Sequence, residues 1–208
     1  MNCLLNTLVI FGIKEGGTEL KIAIDIDNTL CTTTEAVLEY INERTPLNLT
    51  VDDIKEYWME NSLPPEYRWI IPESFENRRM WKKVKMIQGA AQGVRELYNR
   101  GHEIYFATST SPENFKKKIK FLKKNLPFLS PEYIENHSIS IKEKQLLSVD
   151  IMVDDYLNNL NGERTYYSIC LDYPWNQTDE NISYFQRVKN WEEVVAAIDL
   201  YENLRETT

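Results

Sequence analysis

Cysteine is scarce in this 208-residue chain and histidine scarcer still. Cys3, Cys31 and Cys170 are odd in number, far apart and without C-x-x-C spacing, which excludes a disulfide framework and a thiolate zinc site and points to a reducing cytoplasm. His102 and His137 are too few for an imidazole-rich metal centre, and they leave little material for a Ser-His-Asp arrangement. Long apolar runs are missing too. The stretch from Cys3 to Ile13 is too short to span a bilayer and lacks the basic start of a secretory signal. The Gly16-Gly17 break sets it apart from the apolar run that begins at Lys21, so residues 1–19 read as an extension, either an extra strand or the product of an upstream start. Basic residues are outnumbered, 24 against 32, and the net charge of -8 argues against a nucleic-acid polymer as partner while leaving room for a small anionic substrate. No repeat or low-complexity segment is present. The chain as a whole, 42% hydrophobic and 27% charged, has the composition of an ordinary soluble protein.

What the chain does have is carboxylates at strand ends. The apolar run Lys21-Ile22-Ala23-Ile24 ends in Asp25-Ile26-Asp27-Asn28-Thr29-Leu30, and on an extended strand the side chains of Asp25 and Asp27 share one face. Two converging buried carboxylates repel each other and lose hydration, so a positive partner is required, a divalent cation being the simplest. Beyond Gly89 the pattern alternates helix and strand, as in an α/β protein with a parallel sheet. A helix through Val94, Leu97 and Tyr98 stops at Gly101, and the strand Ile104 to Ala107 runs into Thr108-Ser109-Thr110-Ser111-Pro112. Ser111 and Pro112 then open a helix carrying Phe115, Ile119 and Leu122. Further strands are expected at Ser138 to Ile141, Ile151 to Val153 and Tyr166 to Leu171, with a last helix capped by Asn190 and Glu193. The lysines 116, 117, 118, 120, 123 and 124 read as a solvated helix face.

Between the first strand and Gly89 the chain changes character. Thr32 to Thr34 start a helix through Val37, Leu38, Tyr40 and Ile41 that ends near Pro46, and Thr50 with Asp53 resembles a capping box opening a second through Ile54, Tyr57 and Trp58. Aromatics, prolines and the pair Arg78-Arg79 come next, and residues 33–87 read as a small helical insertion.

Ligands of open parallel sheets bind beyond the carboxyl ends of the strands. Those ends deliver Asp25 and Asp27, Thr108 with Ser109, Lys142 and Lys144, and Asp154-Asp155. Magnesium, a hard cation, suits Asp25, the backbone carbonyl of Asp27 and a carboxylate of Asp154-Asp155. With phosphate charge neutralised, Asp25 can attack phosphorus and Asp27 can protonate the leaving oxygen and later activate water. Thr108 and a lysine would hold the phosphoryl oxygens. Each residue alone has an ordinary structural explanation, as a turn, a cap or a surface lysine; their order and strand-end placement carry the reading.

In that order the motifs resemble the haloacid dehalogenase superfamily of aspartate-nucleophile phosphatases, over roughly residues 20 to 200. The second acid, Asp27, belongs to the phosphatase branch. Lys144-Gln145-Leu146-Leu147-Ser148-Val149-Asp150-Ile151-Met152-Val153-Asp154-Asp155 is similar to the corresponding segment of the 5′(3′)-deoxyribonucleotidases and favours Lys144 over Lys142. Leu171-Asp172-Tyr173-Pro174-Trp175-Asn176, then Arg187-Val188 and Trp191, resembles the same family's C-terminal signature. The resemblance implies an α/β fold of HAD-like Rossmannoid type, a three-layer sandwich with a parallel central sheet. Residues 20–32 plus 88–205 would form the catalytic core and 33–87 a small helical cap inserted after the first core strand. It further implies a magnesium-dependent phosphomonoesterase with Asp25 and Asp27 catalytic, Thr108, Ser109 and Lys144 holding phosphate, and Asp25, Asp27, Asp154 and Asp155 holding Mg2+.

Trp58, Trp69, Phe75 and Trp81 either stack a nucleobase or build the cap's own core, with at least one expected to face the site. Trp175 and Asn176, after the last strand, are placed near the mouth, with packing beneath the sheet as the alternative for Trp175. The segment Thr108 to Pro112 is longer than the family's short Thr-Ser-Pro. The expected substrate is a nucleoside monophosphate, with a sugar phosphate or a silent phospholigand-binding module as alternatives; a homodimer is compatible with these features.

Overall fold

In the strand β1, Lys21–Asp25, the residues alternate between two environments and both are dry. Ile22 and Ile24 join one cluster of buried side chains and Ala23 another, all fully buried. Ile104 and Phe106, Ile151 and Val153, and Ile169 and Leu171 share the first face; Met152 and Cys170 share the second. A sheet apolar on both faces must be covered on both, the condition under which parallel strands occur. The computed structural model describes residues 19–161, 165–177 and 185–207, and it shows this arrangement. Beside β1 lie β2 (Glu103–Thr108), β3 (Ser138–Ser140), β4 (Ile151–Asp154), β5 (Tyr167–Leu171) and β6 (Gln186–Val188). The order is β3-β2-β1-β4-β5-β6, with every pair parallel. The order reverses between β1 and β4, so the carboxyl ends of these two strands border the crevice where open sheets place ligands. Asp25 and Asp154 are their last residues.

The helices arise from local sequence. In order they are α1 (Thr33–Asn42), α2 (Ile70–Glu76), α3 (Arg78–Lys83), α4 (Ala90–Asn99), α5 (Pro112–Asn125), α6 (Pro131–Asn136), α7 (Leu157–Leu160) and α8 (Trp191–Glu206). Val94 and Leu97 of α4 and Val194, Ala197 and Ile198 of α8 enter the first core cluster; Leu160 of α7 enters the second. After α4, Gly101 adopts φ +93°, a conformation that suits a residue without Cβ. The Ser111 hydroxyl accepts from the amide of Asn114 at 3.4 Å with Pro112 in the first turn of α5, and Asn190 accepts from the Glu193 amide at 3.0 Å to start α8, as expected.

One expected helix is absent. Thr50 and Asp53 do bond, through Thr50 N to Asp53 Oδ2 at 2.7 Å, but they open only a single 3₁₀ turn, Val51–Asp53. Ile54 turns to extended backbone and is buried at 1% exposure, so tertiary burial ends the helix after its cap. The strand β6, Gln186–Val188, was not anticipated either. The expected strand in the extension lies outside the described residues.

The stretch between β1 and α4 leaves and returns at one place. Thr32 N donates to Lys85 O at 2.9 Å and Ile87 N to Leu30 O at 2.9 Å, joining the entry and exit chains around a Cys31–Met86 bridge. The entry chain is also pinned from the far end of the sequence: the indole of Trp191 donates to the Thr29 carbonyl at 2.9 Å. Gly93 makes room for that ring, since a Cβ there would stand 2.6 Å from Trp191 Cε3. Gly93→Ala is therefore expected to lower stability in chemical denaturation by about 1–3 kcal/mol, the range for overpacking, despite alanine's better helix propensity.

Candidate active site

At the carboxyl ends of β1 and β4, Asp25, Asp154 and Asp155 are almost wholly buried, and one carboxylate oxygen of each lies within 4.8 Å of the others. Lys144, on the turn Lys144–Leu146 ahead of β4, is 2% exposed and inserts its ammonium among them. Its Nζ bonds Asp25 Oδ1 and, at 2.7 Å, Asp154 Oδ2. Lys142 is exposed, which separates the two lysines left by the sequence.

Burial governs the charges here. It pushes the Asp25 carboxyl up to about 7, Lys144 pulling down and Asp154 and Asp27 pushing up. Asp155 is raised well above the carboxylate range by burial and then by Asp25 and Asp154. Lys144 moves above the usual lysine range because its two carboxylate partners outweigh its own burial. One ammonium thus serves three carboxylates, a deficit that a divalent cation with oxygen ligands would relieve. The donor set fits magnesium.

The C-terminal signature acts on this cluster. Trp175 Nε1 donates to Asp155 Oδ2 at 2.9 Å and Asn28 Nδ2 to the same oxygen at 3.3 Å. Asn176 Nδ2 holds the Asp155 carbonyl at 2.9 Å and is itself gripped by Arg187, Nη1 to Asn176 Oδ1 at 2.6 Å. Asn159 Nδ2 and the Tyr156 amide fix the two oxygens of Asp154, each at 2.9 Å. Such outer partners orient acidic ligands. Trp175 and Asn176 are buried and brace Asp155. Asn28 sits at φ +52°, in the left-handed region that asparagine tolerates, and its Oδ1 receives the Thr34 amide at 2.9 Å.

Asp27 faces a different set of groups. Its Oδ1 accepts from the Thr33 hydroxyl at 2.7 Å, and its Oδ2 from the Thr108 hydroxyl at 3.4 Å and from Lys118 Nζ. Against the opposing effect of burial, Lys118 and the Thr33 hydroxyl hold the Asp27 carboxyl below its usual range. Its carboxylate is outside the Asp25–Asp154–Asp155 cluster, leaving the backbone carbonyl as its expected metal contact. Thr108 is fully buried beside it, whereas Ser109 is exposed.

Lys118 corrects the expectation of a solvated lysine face. It is 3% exposed and bonds Thr108 Oγ1 at 2.7 Å besides Asp27. The signal was present in the spacing: Phe115, Lys118, Ile119 and Leu122 form the i, i+3, i+4, i+7 stripe that faces inward, and the other lysines of α5 fall off it.

The aromatics divide. Trp58 and Trp69 are more than half exposed, while Phe75 and Trp81 pack edge to face with centroids 6.5 Å apart, Trp81 Nε1 donating to Phe75 O at 2.7 Å. Lys117 ties this pair to α5 by donating to Phe75 O at 2.9 Å. Tyr57 also reaches across, its ring stacked on that of Tyr156 just after β4 with centroids 3.6 Å apart. Tyr57 as a whole is 38% exposed, while its hydroxyl is held above the usual tyrosine range by desolvation and then by the negative charge of Asp155 and Asp25.

The family profile described as 5′ nucleotidase, deoxy (pyrimidine), cytosolic type C protein matches residues 19–203. The chain belongs to this 5′-nucleotidase family. Among the relatives of this family member, the 5′(3′)-deoxyribonucleotidase of Bacillus subtilis strain 168 is 29% identical over 180 residues, covering 83% of this chain and 95% of that protein. A protein of the same name from Bacillus phage SPbeta matches equally. Solved structures share the fold at low identity. A haloacid dehalogenase-like protein from Agrobacterium tumefaciens superposes with TM-score 0.57 at 15% identity, over 88% of this chain and 99% of that one. A HAD family hydrolase from Deinococcus radiodurans R1, solved with bound phosphate and sodium, gives 0.55 at 12% over 88% and 96%. The family member is a hydrolase of phosphoric monoesters with a HAD-like fold. No helix among its described residues is long and apolar enough to cross a membrane.

Proposed function

We propose that this chain hydrolyses nucleoside monophosphates, deoxyribonucleotides included, through an aspartyl-phosphate on Asp25 with Mg2+ as cofactor. The observation that carries the reading is the convergence of Asp25, Asp154 and Asp155 at the strand-order reversal, with Lys144 bonded to the first two. The Bacillus subtilis relative's name supplies the substrate class. When bound, the magnesium ion would be held by Asp25, Asp154, Asp155 and the Asp27 carbonyl, and would offset phosphate charge.

An Asp25 oxygen bonds to phosphorus as the bond to the leaving oxygen breaks, and that oxygen takes a proton from Asp27. A phosphate monoester, whose second ionisation lies near pH 6, can bring that proton in with it. Lys144 and Thr108, with Ser109 at the rim, would hold the phosphoryl oxygens as charge develops. Water, deprotonated by Asp27, then attacks the phosphoaspartate and frees Asp25. Residues 33–87 serve in this reading as a cap over the core of 20–32 and 88–205, with Tyr57 closing against Tyr156. Buried free thiols at Cys31 and Cys170 suit a reducing compartment.

Chelation, and then a panel of phosphate esters, tests the reading. Turnover is expected to vanish with chelator, to return with magnesium, and to favour nucleotides over sugar phosphates. Retained activity under chelation removes the metal from the mechanism, and equal turnover of sugar phosphates removes the nucleotide preference.

A further inference from the structure

The site holds a second buried ammonium that the phosphate-gripping scheme does not use. Lys118 reaches it from the inward stripe of α5, at 3% exposure, and has two partners: Asp27 Oδ2 and Thr108 Oγ1, the latter at 2.7 Å. A long, flexible side chain buried among polar groups costs rotamer entropy and desolvation, so its placement needs a return. Here the return is geometry. Together with the Thr33 hydroxyl at 2.7 Å on Oδ1, Lys118 fixes the carboxylate of Asp27 from both sides. It also turns the Thr108 hydroxyl, whose lone pair is engaged by Nζ, so that its hydrogen points away from the ammonium. Lys144, by contrast, contacts Asp25 and Asp154. The two lysines divide the site into a half that carries the nucleophile and a half that carries the proton-transfer group.

We propose that Lys118 is a positioning residue for the proton-transfer carboxylate, clamping Asp27 against Thr33 and Thr108 so that it meets the leaving oxygen of an alkyl phosphate. The inference rests on the reading of Asp25 as nucleophile and Asp27 as proton donor, and its test separates the two.

The leaving group makes the separation possible. A nucleoside departs as an alkoxide unless a proton is supplied as the phosphorus–oxygen bond breaks, whereas p-nitrophenolate departs without one. The ratio kcat/KM counts steps only up to that departure, so later hydrolysis of the phosphoaspartate does not enter. Lys118→Met is expected to lower kcat/KM for a nucleoside monophosphate by about 10²-fold or more, the typical worth of a positioned acid, and for p-nitrophenyl phosphate by less than about tenfold. Lys118→Arg, which keeps the charge, is expected to restore most of the selectivity between the two esters. Equal losses on both esters would make Lys118 an ordinary phosphate-binding cation and overturn the proposal, and so would no loss on either.

Removing Lys118 alone leaves Asp27 without its cation, and the variant could fail to fold. Asp27→Asn with Lys118→Met removes both charges of the pair. In that background the lysine change is expected to add less than about threefold to the loss on the nucleotide, as required of a residue acting through Asp27; a further loss near that of the single variant overturns the proposal. Wild-type protein that turns over neither ester, or does so without Asp25, overturns the underlying reading instead.

Discussion

Asp25→Asn will reduce phosphomonoesterase turnover by about 10⁴-fold or more, the scale on which removal of a nucleophile acts, and the protein will remain folded. An amide has the shape of the carboxylate, so the packing at the end of β1 survives, but it cannot form the phosphoaspartate. The stability of the metal-free protein is expected to equal or exceed that of wild type. Burial and the neighbouring Asp154 and Asp27 already push Asp25 up to about 7, so replacing its charge relieves repulsion in a cluster where one ammonium faces three carboxylates. Lys144 keeps its bond to Asp154 at 2.7 Å. Each kcal/mol of relief would raise the melting temperature by about 2–4 °C in a chain of this size. Turnover at a tenth of wild type or above would exclude Asp25 as nucleophile; a folded, inactive variant with an unchanged or raised melting point fits it.

Lys144→Met has the opposite signature and damages both function and fold. The methionine fills a similar volume, but Asp25, Asp154 and Asp155 then face one another without the ammonium that bonds two of them. Stranding buried carboxylates in this way costs about 3–5 kcal/mol, so the metal-free variant is expected to melt on the order of 10 °C below wild type. Magnesium should recover part of the loss, since a ligand at a hundred times its dissociation constant stabilises by about 2.7 kcal/mol. Activity will not recover with it, because the phosphoryl oxygens lose their cationic contact; a loss of about 10²-fold in kcat/KM is expected even at saturating magnesium. Melting curves with and without the ion, beside kinetics on the same samples, read both effects. A variant as stable as wild type without metal would mean that the acids are held apart by something other than Lys144.

The sheet and the acid cluster were legible because both rest on local signals. Apolar runs of four or five residues ended by Asp25, Thr108 and Asp154 mark strands whose carboxyl ends meet, and parallel pairing of β1 with β2 and β4 brings them together. Lys144 was distinguishable from Lys142 by the resemblance, and burial makes the same choice. The segment between α1 and α4 was less legible. There, long-range contacts decide local form: Ile54 leaves the helix that Thr50 and Asp53 begin, and Tyr57 is drawn to Tyr156, far away in sequence. Of the aromatics singled out in the sequence, Trp58 and Trp69 are exposed and Phe75 and Trp81 pack against the core, while the stacking of Tyr57 on Tyr156 had no local signal. Lys118 was missed for another reason. A dense lysine run reads as solvent-facing, and only the helical period separates the one member that points inward.

The bond from the Trp191 indole to the Thr29 carbonyl spans 162 positions. During synthesis the first strand emerges before the side chain that pins the adjoining loop, which follows 162 positions later. At 5–20 residues per second that interval is on the order of 10–30 s. Throughout it the loop that follows the first strand is without the indole that fastens it in the folded protein.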